Sequence, residues 1–82
     1  MSDEKKIEYP CIWEYKIFTS DKDYVLKEIA DLNNNIKILS SDRQSKNGKY
    51  TVIDTSLYVE NEEKRNEVFT KLRNLKEVHL VI

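Results

Sequence analysis

Eighty-two residues suffice for one domain, and 39% apolar against 35% charged residues leaves a modest core under a heavily solvated exterior. Fourteen basic and fifteen acidic side chains sum to a formal charge of −1. That balance argues against the basic face of a nucleic-acid binder and against a peripheral membrane protein. No apolar run approaches the ~20 residues of a membrane helix. Met1–Glu8 lacks the apolar stretch of a signal peptide, and the lone Cys11 cannot form an internal disulfide. The cytoplasm is the expected location.

Residues 1–8 are largely charged or polar and read as a flexible tail ahead of a single domain over 9–82. Tyr9-Pro10 marks the entry to the first strand, since proline cannot donate to a ladder. From Cys11 to Phe18 the chain alternates. Trp13, Tyr15 and Ile17 share one face, and Glu14 and Lys16 share the other. Ser20 is the expected cap of a first helix, with Asp21 and Asp23 suited to its dipole. Val25, Ile29 and Leu32 make its apolar stripe, and Asn33-Asn34-Asn35 ends it through the left-handed tolerance of asparagine.

Asn47-Gly48 predicts a two-residue type I′ hairpin. That turn places Lys46 opposite Lys49, and counting outward sets Ile38 against Leu57 and Ile36 against Val59. The polar stretch from Ser40 to Gln44 suits an edge strand. Asn61 caps a second helix with Val68, Phe69 and Leu72 as its stripe, and Val78–Ile82 forms the last strand. This order predicts an α+β, ferredoxin-like βαββαβ sandwich: two helices on one face of a four-stranded antiparallel sheet, with strands one and three central. Its expected core is Trp13, Tyr15, Ile17, Ile29, Leu32, Ile53, Leu57, Phe69 and Leu72.

Tyr9-Pro10, then Trp13 and Tyr15 followed by Lys16 and Ile17, then Ser45, Gly48 and Tyr50, and the closing Val78–Ile82 resemble the YbeD-like family of small bacterial proteins. The resemblance spans residues 9–82. It implies a ferredoxin-like fold related to the ACT regulatory domains, and hence a noncatalytic regulatory or adaptor module that binds a protein partner or a small metabolite. It carries no lipoylation motif.

The residues themselves supply few parts for chemistry. His79 is the sole histidine and reads as a solvated strand residue. Cys11 reads as a buried or half-buried small apolar residue. Gly48 is the sole glycine, so no phosphate-cradling loop can form. The chain is therefore expected not to be an enzyme and to hold no cofactor or metal. What remains is the sheet face away from the helices, with Glu14, Lys16 and Phe18 on strand one and Tyr50, Val52, Asp54, Ser56 and Tyr58 on strand three. Of these, Glu14, Lys16, Tyr50, Asp54 and Tyr58 are the candidate partner-binding residues, since tyrosines flanking charges suit interfaces. Self-association through the face or through edge strands two and four is the alternative, as a monomer or weak homodimer. Stacking of single-stranded RNA is a third reading, opposed by the charges of Glu14 and Asp54.

Overall fold

The computed structural model of the chain describes residues 7–33, 35–46 and 48–82. Six elements follow in the expected order: β1 (Cys11–Thr19), α1 (Lys22–Leu32), β2 (Lys37–Gln44), β3 (Thr51–Val59), α2 (Glu62–Arg73) and β4 (Val78–Val81). The strands join antiparallel as β2-β3-β1-β4, so β1 and β3 are central. The tail expected over residues 1–8 lies outside the described residues as far as residue 6, and Ile7 and Glu8 are exposed.

Pairing of β1 with β3 runs without interruption from Cys11↔Val59 to Thr19↔Thr51. Alternation then turns Tyr15, Ile17, Ile53, Leu57 and Val59 toward the helices, where they bury against Val25 and Ile29 of α1 and Val68 and Leu72 of α2. Six of the nine expected core residues are buried, while Trp13, Leu32 and Phe69 pack partly buried at the margin.

Polar groups in this core are mostly paired. The Thr55 hydroxyl donates to the Tyr15 carbonyl (3.0 Å), and the Tyr15 hydroxyl donates to the Arg65 carbonyl of α2 (2.7 Å). Burial pushes the Tyr15 phenol up to about 12, with the Arg65 charge opposing the rise. The Tyr9 hydroxyl is the exception among the described residues: it is buried without a hydrogen-bond partner. Tyr9→Phe is therefore expected to keep or raise stability, by up to ~1 kcal/mol, in urea unfolding. A loss above ~1 kcal/mol would show that the hydroxyl is bonded.

Two local expectations are corrected. Asp21, not Ser20, caps α1, its carboxylate accepting from the Tyr24 N–H at 3.2 Å. Aspartate caps as well as serine, and the Ser20 hydroxyl is drawn instead to the Glu77 carboxylate (3.0 Å). Asn33 ends α1 in extended backbone, φ −163°, its side chain accepting from the Asn35 N–H at 2.9 Å, and the position after the cap, where a left-handed residue is expected, is Asn34. Asn34 lies outside the described residues. Asn61 does cap α2, accepting from the Lys64 N–H at 2.8 Å.

The second correction concerns the hairpin. The Ser45 N–H donates to the Tyr50 carbonyl (2.7 Å), the Tyr50 N–H donates to the Ser45 hydroxyl (3.0 Å), and the Gly48 N–H donates to the Ser45 carbonyl (2.8 Å). Ser45 and Tyr50 thus close the connection, one level outside the expected Lys46–Lys49 pair. Gly48 takes φ +72°, where only glycine is free of strain; Asn47 lies outside the described residues. Gln44↔Thr51 and Arg43↔Val52 keep the expected register, but two irregularities follow, each giving β2 one extra residue. Ile38 therefore stands opposite Thr55 rather than Leu57, and Ile36, beside the Lys37↔Ser56 pair, is displaced from Val59. Ile36 is still buried, whereas Ile38 is 41% exposed at the sheet margin.

Candidate binding face

On the face away from the helices, the registers line side chains up in rows across the sheet. Tyr58 of β3 stands beside Ile12 of β1. The next row is Lys37, Ser56 and Glu14; then come Ser40, Asp54 and Lys16; then Arg43, Val52, Phe18 and Leu80. Four of the five candidate residues, Glu14, Lys16, Asp54 and Tyr58, thus share this face. Tyr50 precedes β3 and lies beyond these paired rows; it is half-buried and stacks on His79 with ring centroids 4.6 Å apart.

The rows differ in how much they leave open. Val52 is buried (4% exposed) even though alternation points it away from the helices. Arg43, opposite Val52, reaches one row along to the Asp54 carboxylate at 3.0 Å, and the Ser40 hydroxyl donates to the other Asp54 oxygen at 2.9 Å. Asp54 is therefore committed to tying the edge strand β2 to the central strand. Glu14 and Lys16 remain exposed.

At the opposite end the face is open and apolar. Ile12, Leu39 and Tyr58 are 63%, 53% and 57% exposed. With Asn35, Lys37, Ser56 and Leu57 they line a groove of about 350 Å3. Sequence reasoning missed Ile12 and Leu39. Ile12 was detectable as the one aliphatic residue in phase with Glu14 and Lys16. Leu39 was detectable too, because the expected hairpin register already sets it opposite Ser56 on this face.

His79 has companions after all. Besides Tyr50, its Nε2 lies 3.0 Å from the Ser20 hydroxyl oxygen, which also contacts the Glu77 carboxylate at 3.0 Å. Glu77 adopts φ +69°, a left-handed conformation costly for a residue with a Cβ, and the Thr19 hydroxyl holds its carbonyl at 2.6 Å. The serine hydroxyl has one proton to give. With that proton directed to Glu77, His79 Nε2 must be the donor toward Ser20, the reverse of the base that a nucleophilic serine needs. This corner fastens β4 to the β1–α1 turn.

Comparison with known proteins places the chain. Residues 4–82 match the family described as "Protein of unknown function (DUF493)". An uncharacterized protein of Helicobacter pylori strain 26695 is 39% identical over 80 residues, covering 94% of this chain and 93% of its own; one from strain J99 is 38% identical over 71 residues, covering 85% and 83%. The solution structure of H. pylori protein HP0495 superposes with a TM-score of 0.78 at 34% identity, over 99% of this chain and 90% of that one. A second solution structure of HP0495 gives 0.66 at 35% identity, over 99% and 98%. Family and topology agree with the residues that anchor the strands and the hairpin: the chain belongs to the DUF493, YbeD-like family of small ferredoxin-like proteins.

Proposed function

We propose that the domain is a noncatalytic docking module that receives an apolar surface of a partner protein on the open end of its sheet. The observation that carries this reading is the groove at Ile12, Leu39 and Tyr58, three large apolar side chains each more than half exposed on one rigid sheet. Lys37 in the groove wall, and Lys16 and Glu14 beside it, supply the polar rim that orients a partner around an apolar centre. An adaptor or regulatory role, as the ACT domains have, fits a surface of this kind, and a partner protein fits it better than RNA. Of the two expected tyrosines only Tyr58 is exposed, Tyr50 being half-buried against His79, and the exposed Glu14 opposes a phosphate backbone.

Addition of a partner strand to the β2 edge is disfavoured, because the two irregularities interrupt the row of backbone groups that such pairing requires. To test the reading, a partner is isolated by affinity from the native cell and its affinity measured for point variants that retain the wild-type circular dichroism. Leu39→Glu and Tyr58→Glu are expected to weaken binding by at least ~2 kcal/mol each, the size of an interface hot spot, and His79→Ala to change it by less than ~0.5 kcal/mol. Normal binding by both face variants would refute the reading.

A further inference from the structure

The β1–β3 ladder runs the length of β1, whereas β4 accompanies β1 only from Thr19 back to Lys16. There Lys16 and Ile82 exchange both backbone hydrogen bonds, at 2.7 and 2.9 Å. Along an antiparallel strand, alternate residues direct their N–H and C=O groups to opposite sides. Lys16 directs its groups toward the β4 side, so Glu14 and Ile12 do the same. Tyr15, in the other phase, directs its carbonyl toward Thr55 of β3. Among the described residues, nothing bonds the backbone groups of Ile12 and Glu14. A central strand thus carries, among the described residues, an open edge that begins where pairing with Ile82 stops.

Beneath that edge, on the helix side, lies a cleft of about 310 Å3 lined by Trp13, Tyr15, Arg65, Asn66, Phe69 and Ile82. Trp13 and Phe69 are only partly buried, and Ile82 is 61% exposed. The Arg65 guanidinium stands 4.5 Å over the Trp13 ring, and its carboxylate partner Glu62 comes no nearer than 4.0 Å. An open ladder edge beside a side-chain cleft is what strand addition uses: main-chain bonds give affinity, and the cleft selects every second side chain.

We propose that the Ile12–Glu14 edge of β1 is a strand-addition site for an extended segment of a partner protein. The segment carries one large apolar side chain for the Trp13–Phe69 cleft and an acidic residue for Arg65. A second copy of this chain is a poorer occupant, since its β2 edge is interrupted twice and its β4 spans only Val78–Val81. The backbone groups carry this proposal independently of the open face, because the added strand would lie in line with β4 rather than on the face.

Amide hydrogen exchange on the free chain tests the edge. The Ile12 and Glu14 amides should exchange at least ~100-fold faster than those of Trp13 and Tyr15, which bond to β3. Equal protection of all four would overturn the proposal, since the edge would already be filled. Linear peptides selected from a phage-displayed library against the full chain then supply the probe. A recovered peptide should combine a large apolar residue with an acidic one and slow exchange at Ile12 and Glu14 by about tenfold or more. Glu14→Pro removes an outward N–H without taking a β1–β3 bond, and should weaken the peptide at least ~10-fold. If that variant fails to fold, Arg65→Glu, at the half-buried guanidinium over Trp13, replaces it with the same expectation. Tyr58→Glu should leave peptide affinity within about twofold, which separates this site from the open face. Recovery of no peptide, or of one that protects β2 or perturbs only Leu39 and Tyr58, would overturn the proposal; the latter result would leave the open-face reading standing.

Discussion

Leu57→Ala is expected to destabilise the domain by about 2 to 5 kcal/mol, the range found when a large side chain is removed from a packed site. Leu57 is 4% exposed, stands opposite Trp13 across the central ladder, and belongs to the cluster that joins both helices to the sheet. A net stability for a small domain is only about 5 to 15 kcal/mol, so this single change consumes a large share of it. Chemical denaturation followed by circular dichroism gives the number. A loss below ~0.5 kcal/mol would place Leu57 outside the core and with it the whole β1–β3 register.

The second large effect is alkaline. The folded Tyr15 phenol titrates at about 12, raised chiefly by burial, whereas the unfolded phenol titrates near ~10. Below pH ~10 the phenol is neutral in both states, and its contribution to stability is complete. Between roughly 10 and 12 the unfolded phenol gives up its proton while the folded one keeps it. The native state then binds more protons and stability falls, by about 2 to 3 kcal/mol across the window. Tyr15→Phe should remove this part of the pH dependence, while losing the bond to the Arg65 carbonyl at a cost of ~1 kcal/mol at neutral pH. Urea midpoints of both proteins from pH 9 to 12 give the effect as the difference between the two curves. Parallel curves would show that Tyr15 is not the group responsible.

Much of the fold was legible because the patterns are redundant. Tyr15 and Ile17 alternate with Glu14 and Lys16, Asn61 precedes Glu62 and Glu63, and Gly48 marks a turn; each signal agrees with its neighbours. What escaped was set by competition between near-equal local choices. Ser20 and Asp21 are both good caps, and the one with a stronger attraction elsewhere gave up the role. The hairpin register was right beside the turn and wrong two irregularities later, because Leu39 to Asp42 contains no apolar period to pin it.

The site was less legible than the fold. Alternation placed Glu14, Lys16, Asp54 and Tyr58 on one face, but it could not show that Asp54 is spent on Arg43 and Ser40 or that Tyr50 turns to His79. Nor could it show that β4 stops short along β1, since that depends on how far two strands overlap rather than on any residue in either.

The central claim is that a partner protein sits on Ile12, Leu39 and Tyr58. Cross-saturation NMR of the isotope-labelled chain bound to a partner purified from the native cell tests it most directly, because the method reports which residues lie against the partner. The account predicts that signals of Ile12, Leu39 and Tyr58 lose intensity together, with Lys37 and Ser56 between them. Attenuation that spares Leu39 and Tyr58 and falls instead on Ser20, Tyr50 and His79 would contradict it.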